Sequence, residues 1–192
     1  ITIFVSDLPM GVGRDPANPS RWHPTEDFRW HREFADFLAA QAKRGDAIVL
    51  IVVGDLLELW QPGGDDCHHE DLGKDLGCTE QEALARTQRV LDQHSAVFQA
   101  LSRFAMAGDN RIVVLPGTHD AALLYPKVAA AILDAFSEAA RRRGHVAMEG
   151  AWRSSDGRMY AEHGQQIGTD VNRFEGWPDR VFLDRDGRRF LR

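Results

Sequence analysis

Cysteine is nearly missing from this 192-residue sequence, which holds only Cys67 and Cys78. Two are too few for a disulfide framework, and a reducing cytoplasm is the expected compartment. No apolar run approaches the roughly 20 residues needed to cross a bilayer, so no membrane span is expected. No basic segment precedes the first apolar stretch, so no signal peptide is expected either. Positive charge is not in excess. The net charge is −6 and the pI about 5.7, which disfavours long nucleic acid as the main partner, because phosphate-backbone binding needs a basic surface. A small anionic substrate stays open, since a metal ion can supply positive charge locally. Internal repeats, low-complexity tracts and clear interdomain linkers are also absent. The length suits one domain with a sizeable core. The chain opens in a strand without Met and closes in the charged run 184–192. The expectation is a single domain over 1–192, truncated at the C-terminus.

What is present is organised around Ile48-Val49-Leu50-Ile51-Val52-Val53-Gly54-Asp55. A continuous apolar run rich in Ile and Val reads as a strand buried on both faces. The glycine lets the chain turn, and the aspartate is delivered at the strand end. Two other segments share this design. Ile1–Val5 runs into Ser6-Asp7, and Arg111–Leu115 runs into Pro116-Gly117-Thr118-His119-Asp120. Ligands of open α/β sheets bind beyond the carboxyl ends of the strands, where these polar groups fall.

Between the strands, the apolar spacing predicts a helix over 26–44, with Thr25 as N-cap and Gly45 as its stop. A long polar loop over 61–77, holding Cys67-His68-His69, is a candidate lid. Thr79 and Glu82 form a capping-box pattern. It opens the longest expected helix, whose stripe runs through Val90, His94, Val97, Leu101 and Phe104 to a stop at Gly108. His94 on that stripe reads as a core histidine bonded to backbone. A further helix is expected over 127–143. Short strands over 146–148, 151–153 and 158–161 read as the opening of a second, antiparallel sheet. The tryptophans read as packing residues, with Trp60 also a candidate pocket wall close after Asp55.

Asp7, Asp55, Thr118, His119, Asp120 and His163 therefore collect carboxylates, imidazoles and a hydroxyl at strand ends. Such donors suit Mn, Fe, Zn or Mg. Close carboxylates repel one another unless a cation neutralises them. Metal-assisted hydrolysis by in-line displacement follows naturally from such a set.

Four blocks carry a more specific signal: Ser6-Asp7-Leu8-Pro9-Met10-Gly11, Gly54-Asp55-Leu56-Leu57-Glu58, Gly117-Thr118-His119-Asp120 and His163-Gly164-Gln165. In order and spacing they resemble the calcineurin-like metallophosphoesterase family, whose forms are Asp-x-His, Gly-Asp-x-x-Asp/Glu/Arg, Gly-Asn-His-Asp/Glu and a later His-Gly. The resemblance covers residues 1 to about 166. It implies an α+β fold of four layers, αββα, with two mixed sheets packed as a sandwich between helices. It implies two divalent metal ions, with Mn, Fe or Zn favoured, and a small phosphorylated substrate. Asp7, Asp55, Thr118 and His163 would be the metal ligands, with Asp55 bridging. His119 would contact the phosphate and assist the leaving oxygen, oriented by a carboxylate such as Asp120. The chain departs from the family at Pro9, which replaces a metal-binding histidine, and at Thr118, which replaces an asparagine. No closing Gly-His-x-His follows. A catalytically degenerate member that binds phosphate or protein is the alternative.

Overall fold

The structure, a computed structural model, describes residues 1–15, 17–60, 78–167, 173–174, 176–179, 182–183 and 185–190. The expected lid, with Cys67, His68 and His69, lies outside the described residues.

The first apolar run forms β1 (Thr2–Val5), followed by a small antiparallel pair, β2 (Arg14–Asp15) and β3 (Asn18–Trp22). Helix α1 (His31–Ala42) leads into β4 (Val49–Val53). Helices α2 (Glu80–Gln93) and α3 (Ser95–Met106) precede β5 (Arg111–Leu115). A 3-10 turn at Ala121–Leu124, α4 (Pro126–Asp134) and α5 (Glu138–Arg141) lead to β6 (Gly144–Val146). Two antiparallel pairs follow, β7 (Ala151–Arg153) with β8 (Tyr160–Glu162), and β9 (Phe182–Leu183) with β10 (Arg189–Phe190).

The central sheet is parallel throughout, in the order β1-β4-β5-β6. Its side chains alternate between two covers, as the period of two in a strand requires. Leu50, Val52, Ile112 and Val114 join the helices in one core, to which all five helices contribute. Ile51, Val113 and Leu115 turn the other way and meet Trp152 and Ala161 of the β7–β8 hairpin. Burial of each such side chain stabilises the fold by about 2 kcal/mol, so the strand ends that carry the polar groups are rigidly founded.

This is an α+β arrangement of helices, a parallel sheet and a small antiparallel hairpin. Among the described residues the expected four-layer sandwich is not seen: the second face of the central sheet carries the hairpin, without a second large mixed sheet. The stretch expected to open that second sheet, at 146–148, instead supplies β6, because Ile112 and Val114 pair with Gly144 and Val146.

Three helix boundaries also differ. Helix α1 starts at His31 rather than 26, because Glu26 is spent elsewhere. Its buried carboxylate accepts the backbone N–H of Gly13 at 2.7 Å and of Phe28 at 2.9 Å, and Thr25 bonds His23 Nδ1 at 2.8 Å. The long helix is broken at His94, whose backbone leaves the helical region at φ −107°, ψ 21°. Fully buried, its ring lies 3.1 Å from Glu26 Oε2, 3.2 Å from the Gly11 carbonyl and 2.8 Å from His31 Nε2. Those partners fix the ring and turn the chain. The expected 127–143 helix is two, with Ser137 accepting the Ala140 N–H as the cap of the second. The capping box of Thr79 and Glu82 is formed as expected.

Candidate functional site

The loops after β1 and β4 extend the sheet beyond its strands. Leu8 N–H donates to the Asp55 carbonyl at 2.9 Å, Met10 N–H to Leu56 at 3.1 Å, and Glu58 N–H to Met10 at 2.9 Å. Asp7 and Asp55 occupy matching places in these loops, and both adopt left-handed backbone, with φ of 55° and 53°. Aspartate tolerates that region better than most residues but still at a cost of about 1 kcal/mol. Such outliers concentrate where a side chain must be aimed.

Glycine makes the approach possible. Gly54 has φ 75°, and a Cβ there would collide with the His163 ring. A Cβ on Gly117 would run into the carboxylate and backbone nitrogen of Asp55. The β4 and β5 loops are therefore in backbone contact.

Asp120 joins the same loops from beneath. It is fully buried, and its Oδ1 accepts N–H groups of Gly117 at 2.7 Å and Asp55 at 3.2 Å. Its Oδ2 accepts those of Leu56 at 2.8 Å and Leu57 at 3.3 Å. Burial pushes its carboxyl up to about 6, against the pull of the Gly117 amide and with the Asp55 charge adding to the rise. Its role is to clamp backbone, which corrects the expectation that it orients His119.

The carboxylate that orients His119 is Glu58. Its Oε2 lies 2.5 Å from His119 Nδ1, and its Oε1 accepts the Trp60 N–H at 2.8 Å. Burial lowers the proton affinity of His119, but the Glu58 hydrogen bond and charge outweigh it and raise its pKa above the usual histidine value. Glu58 was not among the expected site residues. The signal was present, because it is the acidic position of the Gly-Asp-x-x-Glu block.

Asp55 is the hub. It is 6% exposed, and its Oδ1 accepts the backbone N–H of His119 at 2.8 Å. Its Oδ2 lies 3.2 Å from His163 Nε2. Burial works to raise its pKa, but the His163 hydrogen bond and the His119 amide prevail and hold it low. His163 Nδ1 is 2.9 Å from the Val53 carbonyl. A carbonyl only accepts, so Nδ1 carries a proton and Nε2 points its lone-pair direction at the Asp55 carboxylate. Two electron-rich atoms at that distance require positive charge between them, either a proton or a divalent cation. The proton alone, through the Asp55 hydrogen bond, raises the His163 pKa to about 9. The imidazole–carbonyl anchor is the arrangement that metal-binding histidines use. Asp55 and His163 thus fit one cation.

Thr118 is buried in the turn beside them. Asp7 is exposed, accepts the Ser6 hydroxyl at 2.5 Å and faces a cavity of about 530 Å³ shared with Pro9, Asp27, Phe28 and Trp30. Pro9 has no donor to add. Among the described residues, no group of three or more His, Cys, Asp or Glu side chains is placed to hold a metal ion. Asp55, His119, Asp120 and His163 come together in direct contacts, whereas Asp7 remains at their border.

No protein-family model, curated protein or solved structure matches this chain. No helix among the described residues is long and apolar enough to cross a membrane.

Proposed function

We propose that the chain is a metal-dependent phosphoesterase acting on a phosphomonoester, phosphodiester or pyrophosphate. The observation that carries the reading is the convergence on Asp55: one oxygen meets His163 Nε2 at 3.2 Å and the other holds the His119 amide at 2.8 Å. A cation-binding pair and a proton donor are thereby fixed side by side.

Asp55 and His163 would hold a divalent ion, with Mn, Fe or Zn suited to the donors. Asp7 and Thr118 stand at the border as the further ligands that a two-ion site would recruit. Bound there, the metal would offset phosphoryl charge and acidify an attacking water. The chain's own residues supply the rest. Glu58 fixes the His119 tautomer and favours its charged form, so that His119 Nε2 can give a proton to the leaving oxygen. Asp120 keeps both loops in place.

Protein loaded with Mn, Fe or Zn should turn over a generic aryl phosphate. Both Asp55→Asn and His119→Ala should lose at least about 100-fold in kcat. A well-folded parent without turnover under any of these metals would end the reading. The shortage of convergent ligands favours one alternative, a degenerate member that binds phosphate or protein. Restoring Pro9→His and Thr118→Asn discriminates: activity gained from a silent parent supports degeneration.

A further inference from the structure

We propose that Trp60 is the platform on which the leaving group of the substrate lies, and that this leaving group carries a flat ring. The inference rests on the phosphoesterase reading and names its substrate class. Trp60 is 51% exposed, so part of its ring is open to a ligand. It does not stand apart from the site. Its indole stacks on the His119 imidazole, with centroids 5.9 Å apart and planes 26° from parallel. Phe174 meets the indole nearly edge-on, at 6.1 Å and 72°, and Trp177 lies 5.4 Å beyond Phe174.

Glu58 ties this platform to the chemistry. One oxygen holds His119 Nδ1 and the other holds the backbone N–H of Trp60. A single buried carboxylate therefore holds both the imidazole and the backbone from which the indole projects. In hydrolysis the P–O bond to the leaving group breaks and a P–O bond to water forms. The leaving oxygen takes the proton from His119 Nε2 and departs as an alcohol. The proton released by water passes to solvent, from which His119 is recharged. The departing group is thus next to the imidazole at the moment of cleavage, and the surface beside the imidazole is the indole. The two ring planes make a corner with flat walls. A ring can lay its face on the indole and turn an edge to Phe174, both favourable for aromatic quadrupoles, whereas a flexible alkyl chain gains neither.

The test uses two probes with the same ester linkage, adenosine 5′-monophosphate and ribose 5-phosphate. Binding by calorimetry and release of inorganic phosphate are both measured, on Mn-loaded parent, Trp60→Ala and Trp60→Phe. The parent should bind the ring-bearing probe about tenfold more tightly. Trp60→Ala should bring that ratio to about one, and Trp60→Phe should keep most of it. A ratio that survives in Trp60→Ala, or no preference in the parent, overturns the platform. Ring preference without release of phosphate from either probe, or from an aryl phosphate, leaves the platform standing as a ring-binding surface and removes the phosphomonoesterase reading. Equal release from both probes by parent and Trp60→Ala does the reverse. Binding of neither probe overturns the platform and, with it, phosphomonoester hydrolysis.

Discussion

Glu58 grips His119 through a 2.5 Å contact between Oε2 and Nδ1, although the two residues lie 61 positions apart. The carboxylate is buried and the imidazole half-buried, so the pairing is directional and shielded on one side only.

Replacing the carboxylate tests this pair. Glu58→Gln should lower the His119 pKa, because its hydrogen bond and charge are what raise it. With the pKa raised, the stability that His119 contributes is full at low pH and fades as pH rises through its folded value. Glu58→Gln should flatten that dependence. If His119 is the acid, kcat should fall about 100-fold. Imidazole proton shifts followed through a pH titration, beside phosphate release, check both. An unmoved titration would refute the assignment.

Asp120 should matter for stability and for its pH dependence. Asp120→Asn replaces an acceptor by an amide nitrogen facing two backbone N–H groups, and the loss should be about 3 kcal/mol in urea unfolding. Its folded pKa is raised from 3.8 to about 6. The native state then binds more protons between those values, so its stability contribution is full below about 4 and falls as pH rises through about 6. That slope should be missing in the variant.

His163 and Asp55 give a metal-dependent signature. Without metal, the raised His163 pKa of about 9 and the lowered Asp55 pKa make the ion pair stabilising around neutral pH, lost as pH rises through about 9 and lost again in acid as Asp55 takes up a proton. A divalent ion displaces the proton, so Mn binding should release a proton near neutral pH. At 100 times its Kd the ion adds about 2.7 kcal/mol, a rise in Tm of about 5–10 °C for a chain of this size. Differential scanning calorimetry should find that rise in the parent and not in Asp55→Asn. Chelation should reverse it.

Two glycines separate collision from backbone conformation. Gly45, with φ 77°, has open space around it, so Gly45→Ala should cost about 1 kcal/mol. Gly117→Ala should cost about 3 kcal/mol, since the added carbon meets Asp55. It should also weaken Mn binding, which Gly45→Ala should leave intact. Equal behaviour of the two variants would contradict the close approach of the β4 and β5 loops.

The strands ending at Asp55 and Pro116 were legible because parallel strands covered on both sides must be apolar throughout, whereas β1, equally apolar in sequence, is an edge strand with Phe4 45% exposed rather than a strand buried on both faces. The helix breaks were not legible. His94 stops a helix only because Glu26 and His31 reach its ring, and those contacts span 68 and 63 positions. The start of α1 was missed for the same reason: Glu26, plausible as a first-turn acid, is drawn to Gly13. At the site, the hub role of Asp55 and the neighbourhood of His119 and His163 follow from strand-end placement. The exchange of roles between Glu58 and Asp120 does not, because both are acids close to a strand end and only the folded loops decide which one faces the imidazole.

The Asp120 clamp has a consequence for breathing motions. The amides of Asp55, Leu56, Leu57 and Gly117 share one carboxylate, so none can meet solvent deuterium until that anchor lets go. Their exchange should be correlated, with one opening event governing two loops on two strands. Anything that grips either loop would then slow hydrogen exchange in both.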